Sequence, residues 1–493
     1  MAGMKQWAIR ILAAAFLTFV LAAYGSAGWC NDLRIMSMGN CRIALEDEDG
    51  QINPWDFGVN PAYLLDDYTL SWSRLTFALD DMSGTLKRPF DPEESRIISA
   101  GAAGMINLGE RHVVQGTFSY RQMVYDKVPN SLELNQYNDP IYLTDQTTGE
   151  FTYYGPAMSV DYSLKLFPSL SLGGKLDYDI ASGLKDVYTR PEVVHNYFKV
   201  HLGLLYRMND AWSVGIVARP FRLQNRTVFD QTDEGYDNLI LRYYGEGIYD
   251  IIATGSATMR EVQTGWNVSL QNFYLTERLQ AGLLLSYETE ENEIEYATSN
   301  PDRFGFWTDE SYDLRAAARY ALARLPLTLG VTGRYTTNDG WAKRPRFDDV
   351  VLYENPYDLV SFGGGMSYRF APWRLIVSTE YEANMYDIEV NDYGASAYRS
   401  ADVVQNIARF GFEHELFGLH SIRGGFQYTD YLVDRWLKLP PNSDEMRFSG
   451  GFRYRTGGWD FDISAGYAIT THDDVGDERE DIFGVLWATH RIY

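Results

Sequence analysis

Trp212-Ser-Val-Gly-Ile-Val-Ala218 places Trp212, Val214, Ile216 and Ala218 on one side of an extended chain, and Ser213, Gly215, Val217 and the following Arg219 on the other. Successive side chains of a strand point to opposite faces, so this stretch reads as a strand with one apolar and one polar face. Eighteen segments carry the pattern, the first nine at about 69–79, 96–106, 112–123, 153–166, 170–181, 197–207, 211–222, 261–273 and 278–288. The others lie at about 311–323, 326–336, 357–370, 372–384, 402–415, 420–430, 446–455, 459–470 and 482–493. Their joins alternate: 107–111, 168–169 and 208–210 are brief, and 124–152, 223–260 and 289–310 are long. In a soluble sandwich the apolar faces meet and loop lengths follow no such rule. Short turns at one end and long loops at the other are what a membrane barrel requires. The pattern predicts an all-β fold, a transmembrane antiparallel up-and-down β-barrel of about 18 strands, or 14–16 if the weaker hairpins are loops. The first and eighth strands are the weakest.

The chain start predicts the compartment. Lys5 and Arg10 precede an apolar run over 11–23, and Gly25, Ser26 and Ala27 follow it. Basic, apolar and small residues in that order predict a secretory signal peptide over 1–27. The run is shorter than the roughly 20 apolar residues of a membrane helix. Trp29 before Cys30 argues against lipid attachment. Residues 28–68 do not alternate and are expected to form an N-terminal hatch or plug, with the barrel over 69–493. The final segment ends on an aromatic residue, which resembles the signal read by the barrel-assembly machinery of the bacterial (Gram-negative) outer membrane. Outer-membrane lipid and that machinery are the expected partners. Cys30 and Cys41 leave two readings open, a disulfide in the oxidising periplasm or two free structural thiols.

The net charge is -24, from 67 acidic and 43 basic residues. Acids crowd 80–81, 230–234, 288–295 and 473–481, expected as solvated loops that repel nucleic acid and offer a face to cations or a protein partner. Within the strands the polar parity carries Asp177, Arg315, Arg319, Arg334, Arg369, Arg409, Arg423, Arg453, Arg455 and Asp460, the lumen-lining candidates. A charge turned to mid-bilayer lipid costs about 2–4 kcal/mol, so these side chains are expected inside. Arg outnumbers Lys 34 to 9, as suits multidentate pairing with carboxylates. A structural ion-pair network and a charged path for a solute both fit. Gly203, Gly215 and Gly451 share the inward parity and leave room for larger neighbours, a hatch or a permeant, so Gly203→Ser is expected to be mild. Trp212, Trp373 and Trp459 each follow a short turn, as an aromatic girdle at a lipid boundary would.

The pre-barrel segment holds Met36-Ser-Met-Gly39, Ala44-Leu-Glu-Asp-Glu-Asp49 and Asn60-Pro-Ala-Tyr-Leu64. A glycine, an alanine-acid stretch and an Asn-Pro-Ala-x-Leu just before the first strand resemble the mature N-terminus of the FadL-type long-chain fatty-acid transporter family, and of the related PorV-like barrels. The resemblance implies a hatch folded into the lumen, with Asn60, Pro61 and Ala62 in its turn. This chain differs in its larger strand count and in Trp55-Asp-Phe-Gly58 ahead of the motif.

No G-x-S-x-G, P-loop or dinucleotide fingerprint occurs, and the seven scattered histidines lack zinc spacing with the cysteines. Neither an enzyme, a cofactor nor a metal is expected. The expected function is passage of a small hydrophobic or amphipathic solute across the outer membrane through a plugged barrel. A structural or secretion-accessory barrel of PorV type, or a general diffusion porin, is the alternative.

Overall fold

The computed structural model of the chain describes residues 60–67, 71–131, 140–187, 190–229, 240–246, 248–252, 257–297, 301–343, 350–418, 420–439, 442–472 and 476–492. The expected signal segment, residues 28–59, Cys30 and Cys41 lie outside the described residues. Three of the 21 described strands are short additions at the long-loop end: Ile240–Tyr244, Ile248–Ile252 and Val351–Glu354. The other 18 run antiparallel, each beside its neighbour in sequence, from Ser71–Gly84 to Glu478–Ile492. First and last strands pair along their length, from Ser71↔Ile492 to Gly84↔Arg479, and close the barrel. The higher strand count therefore holds, and Ser71–Gly84 and Ala257–Leu275 are both full wall strands.

Side-chain parity divides inside from outside. Along Trp212–Phe229, Ser213 and Val217 are buried while Ile216 is 48% exposed. Leu202, Val331 and Phe362 are each 59% exposed on the outer wall. So many large apolar groups facing out would aggregate in water; lipid is the solvent that accepts them. At the short-turn end Asn209 Oδ1 accepts from the backbone N–H groups of Ala211 and Trp212 at 2.9 and 2.8 Å, which fixes the turn before Trp212. Pro156 and Pro220 lack the backbone donor of a ladder. Pairing with one neighbour strand is skipped at Gly155–Pro156 and beside Pro220, while pairing on their other side continues.

The strands overshoot the membrane, and this corrects the expected loops. A tilted span needs about 9–11 residues. His112–Ser131 has 20 residues, Leu279–Ala297 has 19, Pro301–Ala321 has 21 and Ile141–Phe167 has 27. The acidic run 288–295, expected on a loop, therefore lies on Leu279–Ala297, and Asp80 and Asp81 lie on Ser71–Gly84. Above the lipid a strand needs no apolar outer face, so its alternation disappears from the sequence. A smaller correction concerns Trp373, which sits inside the 3-10 turn Ala371–Trp373. Arg374 closes that turn at φ 49°, and the next strand begins at Leu375.

The overshoot builds a lid. Ile141–Thr144 leaves the wall to pair with Leu241–Tyr244, which pairs in turn with Ile248–Ile251. Ile141, Leu143, Ile240, Tyr244, Trp307 and Tyr353 form a buried apolar cluster there with Trp436 from the connection after His420–Asp430.

Candidate functional site

Residues 60–67 sit inside the barrel near its short-turn end. Asn60 caps a single turn, Pro61–Tyr63: its Oδ1 accepts from the Ala62 N–H at 3.0 Å, and its carbonyl accepts from the Tyr63 N–H at 3.1 Å. Proline at the first helical position has the required φ and misses no donor bond. The other half of the Asn60 amide reaches the wall, where Nδ2 donates to Gln271 Oε1 at 3.0 Å and to the Leu204 carbonyl at 3.3 Å. Ser163 Oγ donates to the Ala62 carbonyl at 3.4 Å. Tyr63 meets Phe273 edge to face at 5.1 Å and packs with Leu205, Leu284 and Ala317.

The wall is hollowed to receive this turn. A Cβ at Gly173 would lie 2.2 Å from the Ala62 nitrogen, and one at Gly203 would lie 2.0 Å from Asn60 Oδ1. At Gly215 the clash would be with Asn60 Nδ2 at 2.9 Å. Three glycines on three adjacent strands thus make the seat, and Asn60, Ala62 and Tyr63 are 6%, 0% and 7% exposed in it. A Cβ at Gly203 would push the Asn60 amide from its bonds, an effect on the seat separate from the mild effect on assembly expected of Gly203→Ser.

Elsewhere the inner wall is a lattice of ion pairs. Asp177 accepts from His201 Nε2 at 2.8 Å with Lys175 3.3 Å away. Asp313 is bound both by Arg315, two residues along its own strand, and by Arg334 at 2.7 Å on the next. Arg409 bonds Glu382 and Gln427, each at 2.9 Å. Asp460 gathers Arg453 at 2.7 Å, Arg455 at 3.4 Å and Arg491 at 3.5 Å. Arg423 spans an intervening strand to reach Asp462 at 2.8 Å, passing over Gly451, where a Cβ would lie 2.8 Å from its Nη2. Arg319 and Arg369 lie towards the short-turn ends of Pro301–Ala321 and Tyr357–Phe370.

The lid was not foreseen from the sequence. Glu246, in the turn of its hairpin, accepts from Arg399 at 2.8 Å and lies 3.6 Å from Lys438. Burial pushes the Glu246 carboxyl up, yet the Arg399 hydrogen bond and the Lys438 charge outweigh it and hold the group below the usual carboxylate range. Burial pulls the Lys438 ammonium down, with Glu246 opposing. Lys185 and Asp145 form a fully buried pair at 3.0 Å beside it. One signal was present: Tyr431-Leu-Val-Asp-Arg-Trp-Leu437 is too apolar for a connection that stays in water.

One family model matches residues 61–349, more than half of the chain and starting inside the seated turn. The chain belongs to that family, DUF6850. DUF6850 is described as a family of unknown function, so the name brings no activity with it. No curated protein matches this DUF6850 chain. Its fold is similar to that of a FadL homologue of Pseudomonas aeruginosa, at 13% identity and TM-score 0.36 over 95% of this chain and 98% of that one. The toluene transporter TbuX of Ralstonia pickettii is similar at 12% identity and TM-score 0.33, over 90% and 94% of the two chains. The siderophore receptor PiuA of Acinetobacter baumannii is similar at 10% identity and TM-score 0.46, over 86% and 82%.

Proposed function

We propose that this barrel is a gated outer-membrane channel for a small amphipathic solute, held shut by the chain itself at both ends. The supporting observation is the seat: a wall that only had to span lipid has no need of three inward glycines and a glutamine fitted to the turn of Asn60, Pro61 and Ala62. The lid at the far end covers an apolar cluster that opening would bare to the apolar part of a solute. The paired charges below it give its polar part a continuous lining. In planar bilayers the intact protein should conduct almost nothing. Deleting 31–66 while keeping the signal should raise conductance partly, and so should replacing 432–438 by a Gly/Ser linker. Both changes together should give a steady ion-carrying pore. An intact protein that already conducts like an open pore makes it a diffusion porin, and a doubly opened barrel that stays silent makes it a structural one.

A further inference from the structure

Arg435 lies in the connection after His420–Asp430, and its guanidinium is held by groups from the wall and from two connections. Nη1 donates to Asp309 at 2.7 Å, Nη2 to Asn338 Oδ1 at 2.8 Å and Nε to Asn355 Oδ1 at 2.6 Å. Its carbon centre stands 5.2 Å from the ring centres of Tyr357 and Trp436 and 5.8 Å from that of Trp307. Planar donors on three acceptors, with aromatic faces around them, are the recognition chemistry of a guanidinium. Of these six acceptors and rings, Trp307, Asp309, Asn338 and Tyr357 sit on the wall strands Pro301–Ala321, Leu327–Lys343 and Tyr357–Phe370. Gly340 is part of the same cage, since a Cβ there would lie 2.4 Å from the Trp307 ring and 2.8 Å from Arg435 Nη2. Asp309 is paired in register with Glu290 on the neighbouring strand, where burial and the Asp309 charge push the Glu290 carboxyl up to about 7. The Arg435 side chain is still 28% exposed at the mouth.

We propose that this cage is the outer recognition site for a guanidinium-bearing solute, with Arg435 standing in as a tethered ligand. The inference rests on the channel reading and names its solute class. A ligand tethered by a short stretch of chain competes at an effective concentration of roughly millimolar. A free guanidinium compound must therefore outcompete Arg435, and when it does, the connection carrying Arg435 and Trp436 is released from the wall. Recognition and lid opening become one event. Because the aromatic rings come with the acceptors, a solute with an apolar portion next to its guanidinium fits better than the bare ion.

The test uses the purified full-length barrel, arginine methyl ester as probe and citrulline methyl ester, whose side chain ends in a neutral urea, as its counterpart, with tryptophan fluorescence as readout. Arg435→Ala should bind the arginine ester about tenfold more tightly than the parent, since the tethered competitor is gone. Adding Asp309→Asn should abolish that gain, and the citrulline ester should gain nothing in either variant. Equal binding by parent and Arg435→Ala, or an equal gain for the citrulline ester, overturns the proposal. Should Arg435→Ala lose the heat-modifiable migration of a folded barrel, the parent answers alone. Arginine ester above the tether's effective concentration should expose residues 431–437 to chymotrypsin, and continued protection overturns the proposal. Vesicle swelling separates the two readings. An ester that binds the cage but never permeates defeats the channel and leaves the cage, whereas a doubly opened barrel that conducts without binding the ester defeats the cage alone.

Discussion

Arg423 and Asp462 face one another with 0% and 3% of their side chains exposed. Removing one partner of such a pair leaves an uncompensated buried charge at a cost of about 3–5 kcal/mol, whereas two apolar replacements are often neutral or better. Asp462→Ala should therefore lower the urea midpoint of the refolded barrel, and Arg423→Met with Asp462→Leu should restore most of it. A double variant as weak as the single would show that other groups depend on the pair. At the seat, Ser163 is fully buried under Ala62, so a cysteine replacing it should resist maleimide in the parent background. Gly203→Ser should make that cysteine reactive without preventing barrel assembly, because it displaces Asn60 and leaves the ladder intact. Continued protection would mean that the turn stays bound without its asparagine. Parity made these positions legible in the sequence: Gly203, Gly451, Arg423 and Asp462 all belong to inward series. Their partners were not legible, because contact across a barrel depends on register and on which strand is skipped. No local pattern records either.

Elements were more legible than residues wherever lipid imposed a rule on them. Every wall strand has its alternating segment in the sequence, since each must turn an apolar face outward through the bilayer. Leu202→Arg or Ile216→Arg should accordingly impair assembly, at about 2–4 kcal/mol near mid-bilayer, and yield less of the heat-modifiable form. Arginine tolerated equally at outer and inner positions would reverse the assignment of faces. Beyond the lipid that constraint lapses. The extensions of His112–Ser131 and Ile141–Phe167 read as one long loop over 124–152, and that of Leu279–Ala297 as an acidic loop, because no lipid fixes an apolar outer face there. The lid hairpin was hidden for a related reason, being short and paired to a strand nearly a hundred residues away in sequence.

On the scale of the whole molecule, the lid is closed by groups that only the folded barrel brings together. Glu246 and Arg399 are 153 positions apart. Glu246 has a folded pKa held below that of the free side chain, about 4.3, so its contribution is present above that pH and is lost as pH falls through the depressed value. Protease nicking of 240–252 should stay constant through neutral and mildly acidic pH and rise only at strong acidity, and Glu246→Gln should nick readily throughout. A rise already near pH 6 would point to another group. The pairing of Ser71–Gly84 with Glu478–Ile492 sets the order of biosynthesis. The seam joins the first wall strand made to the last, so the ring cannot seal until every wall strand has been made. Until then two long edges stay open, with few distant contacts to offset the entropy of holding them. Translation that stops early leaves an open sheet whose bare edge invites other chains, and such a product belongs to proteolysis rather than to the membrane.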